Sequence, residues 1–257
     1  MNPGSNSASA RRSSRLLITG CGRSGTKYTS FALQRLGLDV PHERLGRDGI
    51  SSWTMAITTE KRPFGPPSSQ VSFEQVFHQV RDPIAAIASC MTFNRESWDF
   101  ISRHIRFPAN APLLVMAARY WLEWNERAEQ VATWRYRVED LHASALIEIC
   151  ERTNVSCRAR LVLSIPRNFN TRREGRAVHI VEELFRRAGL NAPGTVRAYL
   201  AKPTTHCPVT WSLLEQADPL LCARIKAKAS DYGYRNSDND DGATIHPQSI
   251  EYSVKNI

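Results

Sequence analysis

A glycine-rich stretch near the start of the chain carries residues suited to holding an anion. It reads GCGRSGTKYT and runs from Gly20 to Thr29. Gly20 and Gly25 have the spacing of the phosphate-binding Walker loop. Thr26, however, occupies the position of that loop's lysine, and Lys27 occupies the position of its magnesium-binding hydroxyl. The stretch therefore predicts a cradle for an anion other than metal-bound ATP.

The elements around this stretch predict how it would hold the anion. The apolar run Leu16 to Ile18 predicts a strand before the loop, and the periodicity of Lys27 to Leu36 predicts a helix after it. A strand that feeds a glycine loop into a helix start directs N–H groups at one point, where the helix dipole favours negative charge. The alternative is a plain glycine turn with incidental charges. The residues expected to contact the anion are Gly22, Arg23, Ser24, Gly25, Thr26 and Lys27.

A second strand-to-helix turn follows further along the chain. The segment Phe73 to Val80 predicts a strand. Asp82 is suited to cap the next helix, and Pro83 fits the first helical turn, where a missing N–H costs nothing. Arg81 therefore lies at the tip of this turn. On its own, Arg81 is also consistent with an exposed residue at a helix start.

The segment LLITGCGRSGTKYT resembles the 5′-phosphosulfate loop of sulfotransferases, in which a strand is followed by a basic residue and Ser-Gly-Thr-Thr. These enzymes transfer a sulfuryl group from 3′-phosphoadenosine 5′-phosphosulfate (PAPS) to a hydroxyl or amine. The resemblance implies that Arg23 contacts the transferring group and that Ser24–Thr26 bind the 5′-phosphate. Lys27 and Tyr28 depart from the family pattern, but Lys27 still offers a donor. Both stay among the expected cofactor contacts.

The segment VRDPIAAIAS is similar to the family's 3′-phosphate site, in which an arginine at a strand end and a serine eight positions later grip the 3′-phosphate. Arg81 and Ser89 have this spacing. Weaker similarities are found in WRYRVEDL, DYGYR and AKP, and the last implies that Lys202 contacts the cofactor. Altogether the resemblance extends over residues 15–235. Only the two phosphate sites are specific.

The expected reaction also requires a base that removes the acceptor's proton. The resemblance implies a catalytic glutamate just after the first helix, where His42 and Glu43 stand. An ordinary glutamate has a pKa of about 4.3 and an ordinary histidine a pKa of about 6.5, so the glutamate needs burial to act near neutrality. We expect Glu43 to be the base, with His42 as substitute or partner; a solvated loop pair is the alternative. Arg23 and Lys27 complete the catalytic set without a metal, because they can offset charge on the leaving phosphate.

The order of predicted elements indicates an α/β fold, a three-layer parallel sheet flanked by helices with the ligand at the carboxyl ends of its strands. The resemblance implies, more narrowly, the P-loop NTPase-like sulfotransferase fold. We expect a flexible leader over residues 1–14, a single domain over 15–235 and a disordered tail over 236–257. The other principal elements predicted are a strand at Trp134–Leu141 and helices at Leu113–Val131, Ala143–Arg152, Thr210–Ala217 and Pro219–Ser230.

Composition limits the class of protein and of partner. A chain of 257 residues suits one sizeable α/β domain, and its net charge of +9, carried mainly by arginine, suits anionic ligands. The arginines are dispersed and no nucleic-acid-binding motif is found, so we expect no nucleic-acid partner. No apolar run reaches the roughly 20 residues of a membrane span. The six cysteines form no CxxC pair, which favours free thiols in the cytoplasm over metal ligands or disulfides.

Two other functions stay open on sequence alone. A P-loop nucleotide kinase or NTPase shares the architecture, although the Gly-Lys-Ser/Thr motif is absent. A non-catalytic nucleotide-binding protein would keep the cradle without a working base. The acceptor is equally open between sugar, lipid, peptide and small phenol, because three segments predicted as loops would select it: residues 44–69, 94–112 and 164–175. The sequence gives no indication of oligomeric state.

Overall fold

A parallel sheet lies at the centre of the described part of the protein. The computed structural model describes residues 12–154 and 209–236. The strands are β1 (Arg12–Thr19), β2 (Gly49–Ser51), β3 (Val71–Val80) and β4 (Trp134–Arg137). Their order across the sheet is β2-β1-β3-β4, and every pairing is parallel. The predicted α/β class with a parallel sheet is confirmed.

Helices connect the strands and cover the sheet. In the described ranges they are α1 (Thr26–Arg35), α2 (Pro83–Cys90), α3 (Arg95–Ser102), α4 (Leu113–Val131), α5 (Ala143–Arg152), α6 (Trp211–Ala217) and α7 (Pro219–Asp231). Asp82 caps α2 as predicted, because its side chain accepts a hydrogen bond from the Ala85 N–H at 2.8 Å. None of these helices has the length and apolar character needed to span a membrane.

Two apolar clusters lie on opposite faces of the sheet. Because side chains alternate along a strand, Phe77 of β3 faces the helices α1 and α5, and it shares their cluster with Leu16 and Ile18 of β1. The next residue of β3, His78, faces the other way and contacts Asn125 of α4. The second cluster on that side includes residues of α2, α4, α6 and α7. Helices therefore pack on both faces of the sheet.

The long helix α4 supplies much of the core. Its Tyr120, Trp121 and Trp124 are fully buried. Trp124 also donates its indole N–H to the backbone carbonyl of Trp53 at 2.8 Å. Burial of a large aromatic side chain removes an extensive apolar area from water, and the indole N–H keeps a partner.

Two segments predicted as loops contain regular structure. Residues 44–69 include β2, a strand of only three buried residues that begins with a glycine and is too short to show an alternating pattern. Residues 94–112 include α3, whose Asn94 caps the helix by accepting from the Ser97 N–H. Strand β1 begins at Arg12, within the segment 1–14 expected to be a flexible leader. The third loop, 164–175, lies outside the described residues.

The predicted strand Trp134–Leu141 ends earlier in the structure than the sequence indicated. Strand β4 stops at Arg137, and Val138–Asp140 form a short 3-10 turn instead. The side chain of Arg137 reaches forward to the Asp140 carboxylate, with its Nε 2.6 Å from the nearer oxygen. Such a local ion pair, three residues apart, suits a turn and not an extended strand, where those side chains would diverge.

Two glycines with positive φ provide a test of this packing. Gly37 has φ 97° and open space around it, whereas Gly49 has φ 157° and a Cβ there would lie 2.0 Å from the Leu16 carbonyl oxygen. We expect Gly37→Ala to lower the free energy of unfolding by about 1–2 kcal/mol, the cost of a left-handed alanine. Gly49→Ala should cost more than about 3 kcal/mol, because β1 and β2 must also separate. Urea unfolding measures both, and equal losses would contradict this account of the β1–β2 pairing.

Candidate anion-binding site

The glycine loop, defined as Gly20–Gly25, lies at the carboxyl end of β1 beside the end of β3. These strands pair in parallel, with Thr19 opposite His78. Arg81 directly follows β3, and its Nη1 donates to the Arg23 carbonyl oxygen at 3.0 Å. Arg81, which the resemblance assigns to the 3′-phosphate, and Arg23, which it assigns to the transferring group, therefore lie one hydrogen bond apart. Ligands of open α/β sheets usually bind at this edge.

Side chains from β3, α4 and the turn after β3 hold the loop backbone, with one bond to each loop residue from Cys21 to Ser24. The bonds are Cys21 N–H to Asn125 Oδ1 (3.1 Å), Gly22 N–H to Tyr120 Oη (2.8 Å), Arg81 Nη1 to Arg23 O (3.0 Å) and Gln79 Nε2 to Ser24 O (2.6 Å). A buried backbone group that loses its partner costs about 1–3 kcal/mol. These four bonds therefore strongly favour the observed loop conformation.

The N–H groups where the loop joins α1 are available to a ligand. Those of Gly25, Thr26 and Lys27 have no acceptor among the described residues. The first turn of α1 contains no acidic residue, and no side chain caps it. A helix start with neither feature satisfies its N–H groups with water or with an anion, and the helix dipole favours the anion. The structure thus supports the predicted cradle at this junction.

The hydroxyl of Ser24 is a further potential donor beside the start of α1. Ser24 is 1% exposed, and its Oγ has no hydrogen-bond partner in the described part of the chain. Buried hydroxyl groups in folded proteins are nearly always hydrogen-bonded. An oxygen of a bound anion beside the start of α1 is a partner of the right chemistry. Ser24 was predicted to be such a contact from the sequence.

The carboxyl end of α2 packs against the glycine loop. The guanidinium of Arg23 lies over the Phe93 ring, 4.8 Å from its centroid, and its Nη2 is 3.5 Å from the Thr92 carbonyl oxygen. The Sγ of Cys90 lies 3.4 Å from the Gly22 carbonyl oxygen. Ser89 precedes Cys90 and is partly buried in this last turn. The structure therefore brings the α2 turn that carries Ser89 to the loop.

The pair His42 and Glu43 lies beside the start of α1. His42 Nε2 is 3.2 Å from Thr26 Oγ1, and its Nδ1 is 3.7 Å from a carboxylate oxygen of Glu43. The other oxygen of Glu43 accepts from the indole N–H of Trp53 at 3.1 Å. The side chains of both residues are only about a quarter exposed, at 26% and 23%. The structure thus places both candidate bases at the cradle.

Burial shifts the pKa values of this pair in opposite directions. It lowers the pKa of His42 to about 4, and the nearby charge of Lys27 acts in the same direction. Burial raises the pKa of Glu43, although the Trp53 hydrogen bond and the charges of Arg23 and Lys27 oppose the shift. At neutral pH His42 is therefore an uncharged, weak base. Glu43 is more basic than an ordinary glutamate, and this is the direction that a base acting near neutrality needs.

Backbone strain occurs at two residues of the expected catalytic set. Four non-glycine residues in the described ranges have positive φ: Arg23 (69°), Glu43 (59°), Asn110 (57°) and Asn154 (51°). Asparagine adopts this left-handed region readily, whereas arginine and glutamate do so rarely. Each such residue costs on the order of 1–3 kcal/mol, and strain of this kind clusters at functional sites. The strain therefore supports a functional assignment of Arg23 and Glu43.

Four other predicted contacts have different surroundings. Lys27 is exposed, and Tyr28 packs against the apolar cluster of α1 and α5. The N–H of Gly22 is bonded to Tyr120, and a Cβ at Gly22 would lie 2.7 Å from the Phe93 ring. Packing alone therefore explains this glycine, and its contact with a cofactor stays a prediction. Lys202 lies outside the described residues.

Sequence reasoning missed the residues that support the site. The sequence predicts Gln79 only as part of a strand and Tyr120 only as part of a helix. Asn125 and Trp53 received no role. One sequence feature could have identified Gln79: a polar His-Gln pair interrupts the apolar strand VFHQV directly before Arg81. Polar residues in a buried strand generally require buried partners.

Comparisons with known proteins add no relative. No family model, curated protein or solved structure matches the chain. The described residues also contain no group of three or more His, Cys, Asp or Glu side chains placed to hold a metal ion. The resemblance to sulfotransferases therefore depends on the motif residues alone.

One buried histidine, His78, and one partly buried histidine, His42, predict how stability depends on pH. Burial lowers the pKa values of His42 and His78 to about 4, below the ordinary 6.5. Between these values the unfolded chain binds protons that the folded protein does not, so the free energy of unfolding falls as pH falls through this window. We expect His42→Gln to reduce that fall, as measured by urea unfolding between about pH 7 and pH 4.5. His142→Gln, at an exposed histidine, is the control. An unchanged slope in His42→Gln would contradict the burial argument.

Proposed function

We propose that the protein is a PAPS-dependent sulfotransferase, which transfers a sulfuryl group to a hydroxyl or amine acceptor. The observation that carries this proposal is the 3.0 Å hydrogen bond from Arg81 to the Arg23 carbonyl. It joins the two segments that resemble the 5′-phosphosulfate loop and the 3′-phosphate site. One adenosine compound with phosphates at both positions could contact both segments. We also propose the sulfotransferase variant of the α/β fold on this basis.

The residues at the cradle fit the 5′ end of such a compound. The N–H groups of Gly25, Thr26 and Lys27 and the buried hydroxyl of Ser24 would donate to its phosphate. This set provides several donors to one tetrahedral anion. The carbonyls of Arg23 and Ser24 already have internal partners, so donation by this set requires no movement of that part of the loop.

The residues after β3 fit the 3′ end. Arginine presents a planar fork that suits phosphate oxygens and can make more than one hydrogen bond. One nitrogen of Arg81 binds the loop carbonyl, which fixes the guanidinium beside the cradle. Ser89 lies in the turn of α2 that packs on the loop. We propose that Arg81 and Ser89 together bind the 3′-phosphate.

The bound donor would supply an activated sulfuryl group, and the protein would supply charge and a base. Arg23 and Lys27 would offset the negative charge that develops on the leaving phosphate. Glu43 would accept the proton of the acceptor's hydroxyl or amine, since burial increases its basicity. Trp53 would hold the Glu43 carboxylate in place through its 3.1 Å hydrogen bond.

The pKa directions favour Glu43 over His42 as the base. A pKa near 4 makes His42 a poor proton acceptor at neutral pH. Its ring instead contacts Thr26 of the cradle on one side and Glu43 on the other. We therefore assign His42 the role of partner, which links the start of α1 to the base. The acceptor's identity and a cytoplasmic location stay predictions.

Nucleotide preference tests the proposed binding site. We expect the protein to bind PAP, the product that retains both phosphates, more tightly than ATP with magnesium in isothermal titration calorimetry. Arg81→Ala should weaken PAP binding about 10- to 100-fold, because a charge-assisted hydrogen bond to phosphate is lost. Arg95→Ala is the matched control, since Arg95 is exposed on α3 and pairs with Asp99.

A tighter affinity for ATP with magnesium would support the nucleotide kinase or NTPase alternative instead. Adenosine 5′-phosphosulfate, which lacks the 3′-phosphate, separates the two phosphate contacts. Arg81→Ala should affect its binding much less than it affects PAP binding. Equal losses for both compounds would show that Arg81 does not recognise the 3′-phosphate.

Catalysis is tested separately from binding. We expect Glu43→Gln to lower transfer from radiolabelled PAPS to a pooled set of acceptors by at least about 100-fold, the usual contribution of a general base. PAP affinity should change less than about threefold, because the neutral amide keeps the shape of the side chain. Filter binding and chromatography of the labelled product measure the transfer.

A second variant distinguishes the two candidate bases. His42→Gln should keep more activity than Glu43→Gln if His42 is only the partner. The reverse order would make His42 the base. PAP binding by the wild-type protein without any labelled product, across chemically diverse acceptors, would support a non-catalytic nucleotide-binding protein.

A further inference from the structure

We propose that Gln79 is a positioning residue, whose side-chain amide fixes the direction in which the N–H groups of the cradle point. Gln79 lies near the end of β3, two residues before Arg81, and is completely buried. This inference deepens the proposed function and rests on it for the identity of the ligand. The geometry of the loop carries it independently.

The amide of Gln79 binds both sides of the junction between the glycine loop and α1. Its Nε2 donates to the carbonyl oxygen of Ser24, just before Gly25, at 2.6 Å. Its Oε1 accepts from the hydroxyl of Thr29, in the first turns of α1, at 2.6 Å. The same oxygen accepts from the hydroxyl of Tyr136 on β4 at 2.7 Å. One side chain thus connects the loop, the helix and the neighbouring strand.

The chemistry of the three partners fixes the orientation of the amide. A backbone carbonyl can only accept a hydrogen bond, so the NH₂ group must face Ser24. The two hydroxyl groups then donate to the amide oxygen. A flipped amide would place two acceptor oxygens 2.6 Å apart at Ser24. Burial also raises the pKa of Tyr136 well above its ordinary value, so its hydroxyl keeps the proton that it donates.

The planarity of the peptide bond transmits this orientation to the ligand side. In a trans peptide the C=O and the following N–H point in opposite directions. Because Gln79 draws the Ser24 carbonyl inward, the N–H of Gly25 points away from Gln79. That N–H is the first of the three cradle donors without an acceptor among the described residues. Gln79 therefore acts on the ligand through the peptide between Ser24 and Gly25.

Gly25, at this junction, is the residue that lets Gln79 approach the backbone closely. Gly25 has φ 94°, and a Cβ there would lie 3.2 Å from Gln79 Nε2 and 2.9 Å from a methyl carbon of Val138. A larger residue would displace the amide or the loop. Gly25 thus serves the close approach of Gln79 to the backbone as well as the left-handed turn into α1.

Two variants separate positioning from general stability. Gln79→Met keeps the length of the side chain but cannot donate to Ser24. Tyr136→Phe removes a buried hydrogen bond to the same amide and leaves the bond to Ser24 intact. We expect Gln79→Met to weaken PAP binding at least about tenfold and to speed hydrogen exchange of the loop amides of residues 20–29 in the free protein. Tyr136→Phe should change both by less than about threefold, whatever its loss of thermal stability.

A third variant gives a pH signature that a purely structural role would not produce. In Gln79→Glu the introduced carboxyl can donate to the Ser24 carbonyl only when protonated. Its PAP affinity relative to the wild-type protein at the same pH should therefore recover by at least about fivefold as pH is lowered from about 8 to about 5.5. This measurement also decides the role of Gln79 if Gln79→Met does not fold.

The inference and the proposed function can fail separately. If wild-type protein does not bind PAP, the proposed function is wrong, and hydrogen exchange of the free loop alone then decides the role of Gln79. Wild-type exchange rates in Gln79→Met, or equal effects of Gln79→Met and Tyr136→Phe, would overturn the inference. A flat pH dependence for Gln79→Glu would overturn it as well.

Discussion

The site depends on one constraint: a loop can direct N–H groups at a ligand only if its other polar backbone groups are satisfied inside the protein. In the glycine loop, some backbone groups bind partners inside the protein and others stay without one in the described part of the chain. The N–H groups of Cys21 and Gly22 point inward to α4, and the carbonyls of Arg23 and Ser24 are held from β3 and the turn that follows it. The N–H groups at the junction with α1 have no acceptor among the described residues. Because each buried group without a partner would cost about 1–3 kcal/mol, the four internal bonds hold the loop in this conformation without a ligand.

The same burial has opposite effects on the two residues after α1. Removal from water disfavours the charged form of any group, so it weakens His42 as a base and strengthens Glu43. The strained backbone at Glu43 and at Arg23 acts in concert with this effect, since it holds a carboxylate and a guanidinium at the cradle in conformations that isolated chains avoid. The surrounding fold supplies the energy for this strain. A solvated loop pair would have neither the burial nor the strain.

The sequence predicted helices and the glycine loop well, but it did not predict the distant residues that hold the loop and Glu43 in place. Helices α4 and α5 have the predicted bounds, Leu113–Val131 and Ala143–Arg152, because long amphipathic segments have a clear period. The short β2 was missed because three residues show no reliable period, whereas α3 was assigned to a loop although α2 and α6, which are no longer, were predicted. The cradle could be proposed from the sequence because its residues are consecutive, and its ligand stays a prediction. Gln79, Asn125 and Trp53 could not be assigned roles, since their partners lie 55, 104 and 10 residues away and only folding brings them together.

The departure of this loop from the Walker pattern also has a consequence for the base. With lysine moved one position into α1, the Lys27 side chain is exposed, and its positive charge lowers the pKa of both His42 and Glu43. An anion bound at the cradle would offset the charges of Lys27 and Arg23. The pKa of Glu43 would then rise further, because less positive charge would oppose the effect of burial. Binding of an anion at the cradle would thus be coupled to the basicity of Glu43 through the same two cations.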